Sequence, residues 1–562
     1  MIIGLDVGGT HTDAVLLGKQ GLVREKKVPT DPADLFSSVL KGLESVMEGI
    51  DPEKIHRVVL STTLTTNAII QNNLPPVGMI IMGGPGIDPE FYRTNHHYYT
   101  VSGSIDHRGR VIQPVKSRHI REIGSLLKAE GIRFAGVVGK FSVRNPEHEL
   151  SVKEILKNDV EKVFLGHQIS GNLNFPRRIA TTYLNAAVYP IHKKFFEAVE
   201  KSLEIRGLCS PIRILKADGG NMKFESSIDH PGLTILSGPA ASVMGSIGYA
   251  AKGMDSLVID IGGTTTDMAI LIDRVPLLDA LGIELAGYKT LIRSLETHSV
   301  GIGGDSEVKI QNGTLVVGPQ RRGPAMAFGG PVPTPTDALF VLNKMQGGDR
   351  EKSIKGFKPI AGKLGFSLEE TARRVFDLTC QRILEEAGSL VHRINSKPVY
   401  TVHELHEGYR VNPGEILVLG GPAPCFAGRL DGLSDNRVRV VPNWKVANAI
   451  GAALARTTCE VTLFADTEQQ FAYAPEEGFR QKVSKSFDRR DAVKLALKLL
   501  REKALKIGAN LEYLETDIIE DTQFNMVRGF YATGKNIRIK VQIRPALIHG
   551  FESLLQRTGI ED

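Results

Sequence analysis

Cysteine is scarce in this chain, and its scarcity excludes several kinds of site. Only four cysteines occur among the 562 residues, and no two of them form a Cys-x-x-Cys pair. Zinc ribbons and iron–sulfur clusters need closely spaced thiolates, so the sequence predicts neither. So few cysteines also suit a protein of the reducing cytosol, and we expect a cytoplasmic location.

Long apolar runs and strong charge are missing as well. No stretch is apolar enough over a sufficient length to span a bilayer, and the opening "MIIGLDVGG" leaves no room for a signal peptide. The net charge is only +6, whereas a nucleic-acid partner is expected to leave a stronger basic footprint. We therefore expect neither a membrane nor a nucleic-acid partner.

One phrase occurs twice in the chain. "LDVGGTHTDAVLL" spans Leu5–Leu17 and "IDIGGTTTDMAIL" spans Ile259–Leu271. Each copy begins with an apolar run typical of a buried strand, continues with two glycines and ends in a second apolar run. This pattern predicts two β-hairpins with glycine turns.

The residues of these turns indicate a phosphate site. Glycine permits positive φ and leaves no Cβ in the way of a ligand, so that successive N–H groups can face one anion. Two ordinary hairpins are the alternative, but the duplication favours two lobes that grip one triphosphate from opposite sides. The predicted phosphate contacts are Gly8, Gly9, Thr10, Gly262, Gly263 and Thr264.

Four aspartates accompany the repeated glycines. Asp6 and Asp260 precede the turns, and Asp13 and Asp267 follow them. A carboxylate beside a phosphate is repulsive unless a cation lies between them, and Mg²⁺ takes one or two carboxylates together with waters and phosphate oxygens. We therefore predict Asp6 and Asp260 as Mg²⁺ ligands, with Asp267 as a third candidate for the catalytic machinery.

The paired hairpins resemble the phosphate motifs of the actin-like ATPase superfamily. "EILVLGGPAPCFAG" is similar to the adenosine motif of that superfamily and would place Gly420 and Gly421 against the nucleotide. A strand-to-helix turn is the alternative for these two glycines. The resemblance implies ATP as cofactor and an α/β, two-lobed fold made of duplicated ribonuclease H-like halves.

A longer series of stretches is similar to the A subunit of the hydantoinase/oxoprolinase family, through most of residues 1–456. This resemblance implies an ATP-dependent hydrolase or carboxylase subunit. It would activate a cyclic amide such as a hydantoin or 5-oxoproline, or a ketone, by phosphoryl transfer, and work with a separate B-type subunit. A nucleotide-switched chaperone or enzyme-reactivating factor is the alternative. The similar stretches are "GGTHTD", "STTLTTNAIIQ", "SGPAASVMG", "HSVGIGGDS" and "RRGPAMAFGGPVPTPTDALFVL".

The same resemblance implies roles for further residues. Asp260 becomes the candidate for the Mg²⁺-linked or general-base carboxylate. Candidates near the transferred phosphoryl group are Gly301, Gly303, Gly304 and Asp305, for which a tight glycine turn is the alternative. Candidates for substrate or phosphate contacts at a helix N-terminus are Thr62, Thr63, Thr66 and Asn67, for which plain capping is the alternative. Asp305 departs from the family loop, which generally has glycine there.

The chain is long enough for roughly three or four domains. We predict a first lobe over 1–190, a second lobe over 191–459 and a small α+β domain over 460–562, with a long helix near 177–207 linking the lobes. Further predicted helices cover 32–47, 117–129 and 489–509, and predicted strands cover 57–60, 77–82 and 537–544. His403 and His406 are interpreted as part of a solvated polar face rather than a metal site.

Overall fold

The computed structural model describes residues 1–9, 11–31, 33–208, 210–279, 281–396, 409–510 and 514–550. Thr10, Pro32, His403 and His406 therefore lie outside the described residues. In the described part of the chain, no helix combines the length and apolar character needed to cross a bilayer.

The first sheet carries the first hairpin, whose strands are Ile2–Val7 and His11–Gly18. The strand Ile2–Val7 is antiparallel to its hairpin partner and parallel to Arg57–Thr62 on its other side. Both hairpin strands are buried through most of their length, as the apolar runs predict. The strands lie in the order Asn221–Lys223, Ile212–Leu215, Arg57–Thr62, Ile2–Val7, His11–Gly18 and Gly21–Pro29.

The second sheet repeats this arrangement around the second hairpin, Asp255–Ile261 and Thr266–Ile272. Its first strand is antiparallel to the hairpin partner and parallel to Glu415–Leu419. The order is Val275–Pro276, Thr266–Ile272, Asp255–Ile261, Glu415–Leu419 and Arg437–Val440, with Thr297–Val300 also paired to Thr266–Ile272. The duplicated fold predicted from the hairpins is therefore confirmed.

A parallel sheet is inserted between the strands of the first lobe. Its strand order is Lys162–Leu165, Phe134–Gly139, Gly78–Met82 and Tyr98–Thr100. The helices Ser117–Ala129 and Glu147–Leu156 pack on one face through a common buried cluster. Strands Ser104–Ile105 and Val111–Gln113 form a small hairpin beside this sheet.

Two features bear on the predicted lobe organisation. The long helix spans Phe175–Ile205; its second half packs in one buried cluster with Ile3 and Leu5 of the first hairpin, and its first half shares a cluster with Ile283 and Ile292. Ile212–Leu215, predicted as part of the second lobe, hydrogen-bonds to Arg57–Thr62 in the first sheet. The first lobe therefore continues beyond residue 190.

The remaining helices complete both lobes. In the first lobe they are Leu35–Met47, Leu64–Ile70, Gly166–Ile169, Phe224–Ser227 and Ser237–Ser246. In the second lobe they are Pro335–Val341, Arg350–Leu364, Leu368–Ser396, Ala423–Asp431 and Ala447–Leu454. Two short hairpins, Glu284–Leu285 with Tyr288–Lys289 and Val308–Gln311 with Thr314–Val317, also lie in the second half of the chain.

The C-terminal part has its own antiparallel sheet. The strands lie in the order Phe479–Lys482, Phe471–Ala474, Glu460–Asp466, Tyr531–Ile543 and Thr516–Arg528. The helix Arg489–Lys506 begins at an Asp488 capping box and buries its apolar face against this sheet. The described residues thus have the α+β character that the sequence predicts for this region.

Candidate active site

The two hairpins have the same internal geometry. Asp6 lies opposite Asp13 in the first hairpin, and Asp260 lies opposite Asp267 in the second. The turns also match, because Gly8 N–H donates to the carbonyl of His11 at 3.0 Å and Gly262 N–H donates to that of Thr265 at 2.9 Å. The repeated phrase is therefore a repeated structure, which presents two similar glycine turns.

The first turn is open to solvent, and the second turn is partly so. Gly9 and Thr264 are exposed, whereas Gly8, Gly262 and Gly263 are partly buried. A Cβ at Gly9 would meet no atom of the described residues within 4 Å, whereas a Cβ at Gly263 would lie 2.6 Å from Asp305 Oδ2. The first turn therefore has room for a ligand, the second is partly covered by Asp305, and the phosphate contacts of both turns stay predictions.

Two helices cross between the sheets and contact both hairpins. Ser242 Oγ, on Ser237–Ser246 of the first lobe, donates to Asp260 Oδ2 at 2.5 Å. Asn448 Nδ2, on Ala447–Leu454 of the second lobe, donates to Asp6 Oδ2 at 2.6 Å. Each carboxylate that precedes a glycine turn is therefore held by a side chain from the opposite lobe.

The crossing helices share a short pattern that explains their close approach. "ASVMG" at 241–245 and "ANAIG" at 447–451 both place a polar residue three positions before a glycine. A Cβ at Gly245 would lie 2.0 Å from the carbonyl oxygen of Ala447, and a Cβ at Gly451 would lie 2.0 Å from that of Ala241. Glycine is required at both positions, and the contact is reciprocal.

The four aspartates form one electrostatic group. Burial raises the pKa of Asp6 to about 7, and the negative charges of Asp13 and Asp260 add to the rise. Burial likewise raises the pKa of Asp267 to about 7, with a further contribution from Asp260, and raises the pKa of Asp260 itself. Lys27 Nζ, 2.8 Å from Asp13 Oδ1, is a cation close to this group.

The donor set suits a cation with few protein ligands. Asp6 Oδ1 is buried and makes no hydrogen bond to the described residues, which leaves a lone pair available. Among the described residues, no three His, Cys, Asp or Glu side chains lie close enough to hold a metal ion by themselves. Mg²⁺ commonly binds through one or two carboxylates and completes its coordination shell with water. The residues present therefore fit Mg²⁺ better than they fit a metal ion whose ligands all come from the protein.

The loop after Thr297–Val300 packs on the second glycine turn. Gly304 N–H donates to the carbonyl of Gly262 at 2.9 Å, and Asp305 N–H donates to that of Gly263 at 2.7 Å. A Cβ at Gly303 would lie 2.6 Å from the Gly262 oxygen, so this packing itself requires a glycine. The loop therefore lies beside the predicted phosphate site. Its glycines are also explained by the alternative, a tight glycine turn without a ligand.

Asp305 has a partner in this loop. Its Oδ2 lies 3.0 Å from Arg321 Nη2, and the ion pair offsets part of its charge. Burial raises the pKa of Asp305, and Arg321 opposes that rise. The aspartate that departs from the family pattern is thus accompanied by a neutralising arginine.

The predicted adenosine motif lies next to Asp260. Strand Glu415–Leu419 runs parallel to the second hairpin, with Leu419 opposite Asp260. Gly420 has φ 95°, and a Cβ there would come within 2.5 Å of Asp260 Oδ1, so only glycine suits this position. Gly421 has open space around its Cα.

The threonine-rich stretch lies at the start of the short helix Leu64–Ile70. Thr62 Oγ1 accepts a hydrogen bond from Leu64 N–H at 3.1 Å, and Thr63 N–H donates to the carbonyl of Val7 at 3.3 Å. Thr66 Oγ1 accepts from Leu236 N–H at 2.9 Å, and Asn67 Nδ2 donates to Thr63 Oγ1. These side chains brace the helix near the first hairpin, and their ligand contacts stay predictions.

Three residues of this site are absent from the sequence predictions. They are Ser242, which contacts Asp260, Asn448, which contacts both Asp6 and Asp13, and Lys27, which contacts Asp13. The shared Ala-polar-x-x-Gly pattern of the crossing helices is the signal that identifies the first two. Lys27 lies opposite Asp13 in the next strand, but no motif marks it.

Comparison with known proteins gives a consistent result. The family described as hydantoinase/oxoprolinase N-terminal region matches residues 2–160, and the family described as hydantoinase/oxoprolinase matches residues 178–461. The caprolactamase subunit alpha of Pseudomonas jessenii is 24% identical over 80% of this chain and 69% of its own. The acetophenone carboxylase gamma subunit of Aromatoleum aromaticum is 25% identical over 94% of this chain and 77% of its own.

A solved structure shares the fold. The nucleotide-free structure of acetone carboxylase superposes with a TM-score of 0.71 at 18% identity, over 98% of this chain and 88% of that chain.

Proposed function

Because the chain belongs to the hydantoinase/oxoprolinase family, we propose that it is the ATP-binding subunit of an enzyme that activates a cyclic amide or a ketone. The observation that carries this proposal is the pair of matching hairpins, whose Asp6 and Asp260 are held by reciprocal contacts from the opposite lobe. Two equivalent glycine turns around one carboxylate group suit a bound triphosphate.

The proposed roles follow from the geometry. The turn N–H groups of Gly8, Gly9, Gly262 and Gly263 would bind phosphate oxygens, and Gly420 and Gly421 would face the adenosine. Asp6 and Asp260 would hold Mg²⁺, which when bound neutralises phosphate charge and orients the transferred group. Asp260 or Asp267 would accept a proton or orient the attacking group, since burial raises the pKa of both carboxyls.

The substrate class is inferred from chemistry and from the relatives. A lactam carbonyl is a poor electrophile, and transfer of phosphate to its oxygen supplies a leaving group. One relative is named for a lactam and another for the carboxylation of a ketone. A hydantoin, 5-oxoproline or a ketone is therefore the substrate we propose, in the cytoplasm where ATP is supplied.

The test is ATP consumption by the purified chain with a panel of small molecules. Lactams, hydantoins, 5-oxoproline and ketones with bicarbonate are each added, with and without Mg²⁺, and ADP formation is measured. We expect one chemical class to accelerate ADP formation in a Mg²⁺-dependent manner. Acceleration by a protein partner, with no response to any small molecule, would instead favour the nucleotide-switched chaperone or reactivating factor.

A further inference from the structure

Three arginines converge on a pocket that the proposed function does not use. Arg57, Arg213 and Arg456 line it, together with residues at the end of the helix Arg489–Lys506 and near Leu547. The cavity measures about 100 Å³ and is partly open to solvent. We call it the arginine pocket.

The arginine pocket lies away from the glycine turns. Arg57 begins the strand Arg57–Thr62, and the other end of that strand meets the first hairpin, where Thr63 N–H donates to the carbonyl of Val7. Five residues of extended strand span roughly 16 Å. The pocket is therefore a separate site at the junction of the first lobe, the end of the second lobe and the C-terminal sheet.

Two of the arginines are close together without a carboxylate. Arg57 and Arg213 lie on neighbouring parallel strands, and Arg213 is opposite Val59, two positions from Arg57 and on the same face. Burial lowers the pKa of Arg57 to about 9, and the charge of Arg213 lowers it further. Within the described ranges, neither guanidinium has a carboxylate within ion-pair distance; burial lowers the pKa of Arg213, and the more distant charge of Glu225 opposes only part of that effect.

The pocket also contains buried donors without acceptors. Arg456 is only 6% exposed, and its Nη1 lies 3.1 Å from Oε2 of Glu515, whose side chain is 52% exposed. Among the described residues, Arg456 Nη2 and Arg57 Nε are buried and have no hydrogen-bond partner. Leaving buried charged donors unsatisfied is costly, and a planar or tetrahedral oxyanion would satisfy several of them at once.

We propose that the arginine pocket binds a small oxyanion, the carboxylate of a small acid or a phosphate. Guanidinium groups bind both oxyanions through paired N–H donors, and the pocket is large enough for either. Other arginine donors already bond to carbonyls, as Arg213 Nη2 does to Gly508 at 2.6 Å, so the framework that holds the guanidiniums is in place. The proposal does not depend on ATP binding.

The test is isothermal titration of the full chain without nucleotide, with inorganic phosphate in one arm and malonate in the other, at constant ionic strength. We expect saturable binding in at least one arm, and the arms distinguish phosphate from carboxylate. Arg456→Gln and Arg57→Met should each weaken that binding at least tenfold. Arg118→Gln removes the same charge from a side chain that is 93% exposed, and should leave binding unchanged.

The outcomes separate this site from others. No saturable heat in either arm overturns the proposal, and so does binding that persists in both pocket variants, because the anion then lies elsewhere. If Arg57→Met does not fold, Arg57→Lys keeps a charge without the paired donors, and binding should still weaken. Anion-dependent rises in the unfolding temperature of the wild type, lost in Arg456→Gln, provide an independent measurement.

Discussion

Asp260 joins the second glycine turn to the opposite lobe. Its carboxylate accepts from Ser242 and lies beside Gly420, where the nucleotide is proposed to bind. Asn keeps the shape and can still accept the Ser242 hydrogen bond, but it loses the charge that would hold Mg²⁺ or accept a proton. We expect Asp260→Asn to lower the rate of ADP formation by about two orders of magnitude or more, while the variant remains folded.

The matched control for this substitution is Asp435→Asn. Asp435 is exposed and lies outside the site, so the same chemical change there should leave the rate unaltered. Near-normal Mg²⁺-dependent ADP formation by Asp260→Asn would remove this residue from the proposed machinery.

Asp6 gives the site a dependence on pH. Burial raises the pKa of its carboxyl from 3.8 to about 7, so folding favours the protonated form. The stability that this preference contributes is present below the ordinary pKa and is lost as the pH rises through about 7. In buffer without divalent cations, Asp6→Asn should therefore be more stable than the wild type at pH 8, by on the order of 2 kcal/mol, and the difference should shrink towards pH 4.

Chemical denaturation at several pH values measures this effect. Asp435→Asn should run parallel to the wild type across the range, because its carboxylate is exposed. If Asp6→Asn instead lowers the free energy of unfolding equally at pH 4 and pH 8, Asp6 acts as a structural hydrogen-bond acceptor. Its ionisation in the folded state would then cost no stability.

At the scale of elements, the crossing helices determine how the lobes meet. A Cβ added to Gly451 would lie 2.0 Å from the Ala241 carbonyl oxygen and 2.4 Å from Gly245 N. Backbone atoms on both sides cannot move aside as a flexible side chain would. We expect Gly451→Ala to lower the free energy of unfolding by about 3 kcal/mol, at the upper end of the range for overpacked sites.

Gly388→Ala is the control at this scale. Gly388 lies within the helix Leu368–Ser396, and a Cβ there would meet no atom of the described part of the chain within 4 Å. Alanine should stabilise that helix by roughly 0.5–1 kcal/mol. Equal effects of the two substitutions, measured by thermal unfolding, would contradict a close contact between the crossing helices.

Elements whose signal is local are predicted well from the sequence. Both hairpins follow from apolar runs, paired glycines and duplication, and the helix predicted over 117–129 is found as Ser117–Ala129. The partners of Asp6 and Asp260 are not local, because Asn448 is 442 residues from Asp6. Likewise, the apolar sequence of Ile212–Leu215 indicates a buried strand. Its position beside Arg57–Thr62 is not a local property, because the insertion of about 150 residues between the two strands must fold away from the sheet.

At the scale of the whole molecule, both lobes contribute to one buried cluster around the crossing helices. Val15 and Val59 come from the first sheet, and Val258 and Leu417 come from the second. The reciprocal contacts of Ser242 and Asn448 lie at this junction. A change in the angle between the lobes would therefore move each aspartate relative to the glycine turn of the other lobe.

Three buried nucleophilic or basic side chains of the described residues are unsuited to complete the reaction on an activated substrate. Cys380 and Cys459 are buried, and burial raises the pKa of both thiols, to about 12 and about 11, which makes them poor nucleophiles. His192 is buried against Phe196, and burial lowers its pKa to about 3. The two relatives compared above are named as subunits, alpha in one case and gamma in the other.

We therefore expect this chain alone to bind ATP and to hydrolyse it slowly, whereas product should form only with a separate B-type subunit. The measurement compares ADP formation and product formation on the same substrate panel, first with the chain alone and then with the candidate partner. Asp260→Asn in the presence of the partner is the control, because it should abolish both signals if ATP use drives the reaction. Robust product release by the isolated chain would contradict this division of labour, since a complete reaction centre would then have to lie within these 562 residues.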